Sequence, residues 1–387
     1  MTDAGKKVKQ ARKLRGLTQR ELADHSGVSI STIRKLEQGE RDGARMETLH
    51  ALAKSLRLPT MALVKEPGEQ GAIPGTRELW APIRAELMRP PGLEGDEPAT
   101  PSGVERVLAD AVPLYRTHHF AELAAVLPAL LRDADSLSDD GRGVRVRVLQ
   151  LAAGALTHTR QFDLAEMVVR RSLADAQNRL EASASVNTLA WLLIRQGQLD
   201  DALTLATTWA DDLEPRISRA TASELSAWGL LLLRASGAAV RNNQPETAAD
   251  MKRLARSAAT AIGREVQVEH ETVRTFGPTT VRMLSVEDAV IHDQPDKALR
   301  LAERMPWSTV RPTISVRNRH GLDVVNAYAR LGQFAEAFGK LSEIQARSPE
   351  WFPNQTPARD ALRAIMTGRR TLTPEMRSMA STLQLSV

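Results

Sequence analysis

The sequence predicts an all-α protein in which a small basic helical unit is followed by a long α-solenoid. Two observations carry that expectation. Apolar residues recur at helical spacing through almost the whole chain, and beyond residue 102 a hairpin of two helices returns six times.

The N-terminal unit is read element by element. In 6–15, KKVKQARKLR, Val8, Ala11 and Leu14 share one face among lysines and arginines, and Gly16 ends the helix. Thr18 is the N-cap of a second helix, and Glu21 completes a T-x-x-E capping box. Leu22 and Ala23 face inward, Gly27 makes the turn, and Val28 fills the core. Ser29 then caps a third helix that turns Ile33 and Leu36 inward and closes at Gly39. Met46, Leu49, Leu52, Ala53 and Leu56 supply a fourth helix that stops before Pro59, and Met61, Leu63 and Val64 a short fifth.

A short glycine-containing turn holds the second and third helices at a steep angle, so the third presents its outer face. That face is Ile30, Ser31, Arg34 and Lys35, with Ser29 and Thr32 at its N-terminal edge. Serine and lysine can reach base edges in a major groove, and Ile30 can touch a thymine methyl. Charge points the same way. Residues 1–65 hold 14 Lys/Arg and 7 Asp/Glu, a net +7, whereas the remaining chain carries 38 and 40, a net −2. A basic unit on a near-neutral body implies a polyanionic partner. No Phe, Tyr or Trp precedes Trp80, which favours duplex over single strands that need stacking platforms. Arg15, Arg41 and Arg45 are candidates for phosphate contact.

The stretch RKLRGLTQRELADHSGVSISTIRKLEQGERDGARMETLHALAKSLRL resembles the Cro/lambda-repressor-like helix-turn-helix of XRE-family regulators, over about residues 6–60. The matching features are G-L-T-Q, E-L-A, the S-G-V-S turn, S-T-I-x-x-L-E-x-G and E-T-L-x-x-L-A-x-x-L. The resemblance implies that Gln19 holds a phosphate, that Ser29, Ile30, Ser31 and Lys35 face bases, and that Arg12 pairs with Glu37. Ile30 departs from the pattern, because many members carry a polar reader there.

Residues 66–76, EPGEQGAIPGT, read as a linker, a short helix follows in RELWAPIRAEL, and RPPGLEGDEPATPSG is a second loop. The expected organisation is a DNA-binding domain at 1–65, a linker with a short helix at 66–101 and a repeat domain at 102–387. The repeats are marked by turns ahead of Phe120, Phe162, Leu199, Pro245, Pro295 and Phe334, spaced by 42, 37, 46, 50 and 39 residues. Alanines 165, 202, 248, 298 and 337 lie three residues after their anchors and allow close helix approach. LAWLLIRQGQLDDALTLA and VNAYARLGQFAEAFGKL resemble degenerate tetratricopeptide (TPR) repeats. With the N-terminal unit, the chain resembles TPR-containing regulators of actinomycetes and, distantly, the peptide-responsive RRNPP group. That resemblance implies a homodimer with a peptide or small-molecule effector on the concave face.

Asn187 and Asn326 fall on first helices of repeats, where an amide can pair with a peptide backbone. The segment RTFGPTT (274–280) breaks the helical pattern at Gly277-Pro278 and is a candidate loop over the groove, with Arg274 and Phe276 as its ligand contacts. Tyr115, Trp191, Trp228 and Tyr328 read as core, and His118-His119 as surface residues at a turn. Zero cysteines exclude thiolate metal sites and disulfides. Catalytic and nucleotide-binding motifs are missing too, so neither an enzyme nor a cofactor or metal is expected. With no signal peptide and no membrane-length apolar run, the expectation is a cytoplasmic protein without a membrane partner. The combined reading is a homodimeric regulator of double-stranded DNA controlled by an effector in the groove. The alternative is a TPR module that captures a partner protein, with DNA binding secondary.

Overall fold

In the computed structural model, residues 3–14, 17–38, 46–56, 58, 63, 76–89, 99–271, 274–305, 312–369 and 371–385 are described. Arg15, Gly16, Gly39, Arg41, Arg45, Pro59, Met61, Val64 and most of the expected linker lie outside them.

Among the described residues the N-terminal unit shows four helices: α1 (Asp3–Leu14), α2 (Gln19–Ser26), α3 (Ile30–Gln38) and α4 (Met46–Ser55). Their apolar stripes meet in a core of their own, in which Val8, Leu22, Ile33, Leu36, Leu52, Ala53 and Leu56 are buried. The short helix expected before the body is two, α5 (Thr76–Leu79) and α6 (Ala81–Leu87), broken at Trp80 two residues ahead of Pro82. Trp80 and Ile83 are fully buried in the main core, so this segment is packed into the body.

The body is a series of helical hairpins. The pairs are α7 (Pro101–Thr117) with α8 (Phe120–Ser136), α9 (Arg142–His158) with α10 (Phe162–Asp175), and α11 (Arg179–Gln196) with α12 (Leu199–Asp212). They continue as α13 (Ala222–Arg241) with α14 (Pro245–Ile262), α15 (Pro278–Ile291) with α16 (Pro295–Glu303), and α17 (Ile314–Arg330) with α18 (Phe334–Arg347). Helices α19 (Thr356–Gly368) and α20 (Pro374–Thr382) close the chain. Each anchor residue read from the sequence is the first residue of the second helix of its hairpin.

One turn geometry repeats six times. His118, Arg160, Gly197, Asn243, Asp293 and Gly332, each two residues before an anchor, have φ between 56° and 81°. The next residue donates its N–H five residues back, as in Gln161 to Leu156 at 2.9 Å and Gln333 to Tyr328 at 2.9 Å. This is the Schellman cap, which satisfies the last carbonyls of the first helix and reverses the chain. Gly197 and Gly332 adopt the left-handed conformation without steric cost, whereas the other four are held there by their surroundings. Ala165, Ala202, Ala248, Ala298 and Ala337 are buried, where a larger side chain would separate the helices.

Two features depart from a plain solenoid. First, between the fourth and fifth hairpins the chain makes a small antiparallel pair, β1 (Val266–Gln267) and β2 (Thr275–Phe276), in the register Val266↔Phe276 and Gln267↔Thr275. Second, the C-terminal part folds back onto the first repeats. The His118 ring nitrogens meet Ser348 Oγ at 2.9 Å and Ser315 Oγ at 2.6 Å, and the Ala121 N–H donates to Glu350 at 2.8 Å. One apolar core therefore runs from Trp80 through α7–α10 to Leu383. This corrects the expectation for His118, which is buried because it supports that closure; His119 is exposed. Among the described residues no helix is long and apolar enough to cross a membrane.

Candidate nucleic-acid interface and concave-face site

The N-terminal interface begins with the turn. Thr18 Oγ1 accepts from the Glu21 N–H at 3.1 Å while Glu21 accepts from the Thr18 N–H at 2.7 Å, so the capping box is closed in both directions. Gly27 ends α2 at φ 69°, and its N–H bonds Ala23. Ser29 caps α3 by accepting from the Thr32 N–H at 3.1 Å. Below this surface Arg12 forms a two-pronged bond with Glu37, at 2.7 and 2.8 Å, and also donates to the Leu17 carbonyl. Burial alone would raise the Glu37 carboxyl, but hydrogen bonds from Arg12 and Gln19 outweigh it and hold the group below the usual carboxylate range. The pair fixes α1 against α3. Ser31, Arg34 and Lys35 then stand exposed on the outer face of α3, with Ile30 and Thr32 half-buried.

A second candidate site centres on Trp191, on α11. Three guanidinium groups surround its ring: Arg274 at 5.3 Å from the centroid, Arg234 at 5.9 Å and Arg195 at 6.0 Å. Asn187, one turn before Trp191, donates to Glu271 at 2.6 Å and accepts from Arg234 at 2.7 Å. Arg274 also bonds Glu271, at 3.0 Å. Burial raises the Glu271 carboxyl, opposed by Arg274 and Asn187. Among the described residues Arg195 meets no carboxylate; it donates to Gln355 Oε1 and the Asn354 carbonyl, both at 3.3 Å. Burial pushes both Arg195 and Arg234 down to about 9, with like charges from Arg319 and Arg160 adding to the effect at Arg195 and from Arg274 at Arg234. Glu287 pairs with Arg241 and Arg319, and Asp323 is pushed well above the usual carboxylate range, first by burial and then by Glu287. The site is therefore a cationic, aromatic cluster with fewer ionised carboxylates than guanidinium groups. Among the described residues no group of three or more His, Cys, Asp or Glu could hold a metal.

Residues 8–63 match a helix-turn-helix family profile. The N-terminal unit is an XRE-type helix-turn-helix domain. A curated relative, the uncharacterised HTH-type transcriptional regulator RghRB of Bacillus subtilis, is 35% identical over 74 residues, 19% of this chain and 53% of the relative. The chain thus spans about half the length of that relative. A solved structure of Bacillus thuringiensis PlcR, in complex with the peptide PapR7 and DNA, aligns with 78% of this chain and 95% of its own at 13% identity and a TM-score of 0.38.

The helix-turn-helix domain places Ser29, Ile30, Ser31, Thr32, Arg34 and Lys35 together, while Arg41 lies outside the described residues. Gln19 is half-buried and gives one of its amide hydrogens to Glu37 at 2.8 Å. Asn187 and Arg274 share one cluster, through Glu271. Phe276 does not join it: the ring is fully buried against Gly229, so it anchors the hairpin instead of contacting a ligand. Asn326 is half-buried and donates to Leu322 of its own helix at 3.2 Å. Tyr115 and Trp228 are core, whereas Trp191 is only half-buried and belongs to the site. Trp191, Arg195, Arg234 and Glu271 were missed as site residues. The available signal was the i, i+4, i+8 series Asn187, Trp191, Arg195 on a helix otherwise apolar on most sides, where a polar file has to open onto a groove.

Proposed function

We propose that the chain is a DNA-binding transcriptional regulator that acts as a homodimer on double-stranded DNA and is controlled by an effector on its concave face. The carrying observation is the exposed Ser31, Arg34 and Lys35 surface, braced from beneath by the Arg12–Glu37 pair in a region of net charge +7. A nine-residue α3 reads only a few base pairs. Two copies, one helical turn of DNA apart at about 34 Å, supply the area and register that specific binding requires. In this reading residues 1–65 are the reading head and residues 102–387 set the spacing of two heads.

The cationic cluster around Trp191 supports an effector with a free carboxylate, such as a short peptide. Arg195 is held by two neutral oxygens, of Gln355 and Asn354, which a carboxylate displaces as the stronger acceptor, and the indole offers an apolar platform beside it. An effector that binds one curvature of the solenoid better than another changes the separation of the heads by that difference in affinity. Genome-wide binding of the tagged protein, followed by mobility shift on the best site, tests the reading. Sharp peaks sharing an inverted repeat are expected, and Arg34→Ala with Lys35→Ala is expected to weaken the specific complex at least tenfold at moderate salt; an unchanged shift would overturn it.

A further inference from the structure

A groove of about 770 Å³ that shares no lining residue with the Trp191 cluster runs between α14, α15 and α16. Its lining combines small apolar residues such as Ala248 and Val281 with a concentration of cations: Lys252, Arg256, Arg282 and Lys297. Asp288 is the single carboxylate among the described lining residues, and it pairs with Lys252. Arg256 and Arg282 form no side-chain hydrogen bond or ion pair among the described residues, so two guanidinium forks face the groove without an anion. The second carboxylate oxygen of Asp288, a residue only 6% exposed, has no hydrogen-bond partner. A buried acceptor left open in this way can take a hydrogen bond from a ligand hydroxyl.

We propose that this groove binds a small phosphorylated molecule that also carries hydroxyl donors, with the phosphate on Arg256 and Arg282 and a hydroxyl on Asp288. Guanidinium forks suit phosphate because two parallel N–H bonds match two of its oxygens. Electrostatics favours an anion there: burial and the like charges of Arg256 and Lys297 push Lys252 down to about 8, and a bound phosphate relieves that repulsion.

The position gives the site a consequence for the head. His292, in the groove lining, meets the ring of His50 on α4 edge-on at 6.4 Å. Asn243, two residues before the groove residue Pro245, donates to the Leu58 carbonyl at 2.8 Å. A ligand that reorders this wall acts on the contact holding the helix-turn-helix domain; this part rests on the DNA-binding reading.

Calorimetric titration of the full chain with ribose 5-phosphate, inorganic phosphate and ribose tests the site without DNA, so its failure leaves the DNA-binding reading untouched. Ribose 5-phosphate is expected to bind, phosphate more weakly, and ribose not detectably. Arg256→Gln with Arg282→Gln is expected to weaken ribose 5-phosphate at least tenfold. Asp288→Asn is expected to remove its advantage over phosphate, with circular dichroism verifying that each variant is folded. No heat from ribose 5-phosphate, undiminished binding in the folded double variant, or equal binding of phosphate and ribose 5-phosphate overturns the assignment. Operator affinity that shifts at least threefold with ribose 5-phosphate in the natural chain, and not in the double variant, supports the coupling; no shift overturns it.

Discussion

The indole nitrogen of Trp351 donates to Nδ1 of His158 at 3.1 Å, joining residues 193 positions apart and closing the solenoid on itself. The bond needs a neutral imidazole with its proton on Nε2. Burial holds His158 well below its ordinary value and pushes the neighbouring His118, stacked on Trp351 at 5.4 Å, down to about 3. An unfolded imidazole takes its proton near 6.5, so above that pH neither state is charged and nothing is lost. As pH falls from 6.5 towards 3 the unfolded chain binds protons that the folded body refuses, and stability declines. At pH 5 His118 alone accounts for about 2 kcal/mol. Urea unfolding at pH 7.5 and pH 5.0 should show that loss, and His118→Asn should reduce it; equal stabilities at both pH values would sink the account.

Arg12 and Glu37 make a testable brace for the reading head. Arg12→Ala leaves a buried carboxylate without its partner and should destabilise the helix-turn-helix domain by roughly 3 to 5 kcal/mol. Most of a small domain's stability is then gone. Hydrogen exchange in α1–α3 should accelerate strongly while exchange in α9–α13 stays unchanged. Arg12→Met with Glu37→Leu should restore much of the protection, because an apolar pair removes the unpaired charge. Unaltered exchange in Arg12→Ala would show that the pair contributes nothing.

The two kinds of local signal explain which parts of the molecule were readable. The six anchors were legible because each Schellman turn confines its signature to a few residues: a left-handed residue, a polar one, then a residue that opens the next helix. The T-x-x-E box of α2 is local in the same sense. The closure is not local. Nothing near His118 or Trp351 announces Ser315, Ser348 or His158, and the surface reading of His118 failed for that reason. Within the site, Asn187 and Arg274 stood out by their setting in sequence, but their companions Arg234 and Glu271 come from separate elements that only packing brings together. Phe276 looked like a loop residue because Gly277-Pro278 follows it; its pocket is made by Gly229, 47 positions earlier in the chain.

Gly229 and Phe276 give a third prediction. A methyl group on Gly229 would overlap the Phe276 ring, which has no room to retreat because it is fully buried. Gly229→Ala should therefore destabilise the body by about 1 to 3 kcal/mol despite improving helix propensity. Phe276→Leu should lose packing alone, yet be partly compensating in combination with Gly229→Ala. A double-mutant cycle measures this coupling, and strictly additive effects would mean that the ring and the glycine do not share a space.

The last prediction concerns the recognition surface itself. Arg34 and Lys35 are exposed and form no ion pair among the described residues, so their charge is available to phosphates. Each phosphate neutralised contributes a slope of about −0.9 to log K against log salt. Replacing both residues by alanine in both heads of a dimer removes up to four such contacts and should flatten the slope by roughly 3 to 4. Ser31→Ala should behave differently, because a hydroxyl on a base edge carries sequence preference and no charge. It should narrow the gap between operator and random duplex while leaving the salt slope in place. Mobility shifts across about 50 to 200 mM salt on both duplexes separate the two roles. Parallel lines for the natural chain and the Arg34→Ala, Lys35→Ala variant would place the phosphate contacts elsewhere in the helix-turn-helix domain.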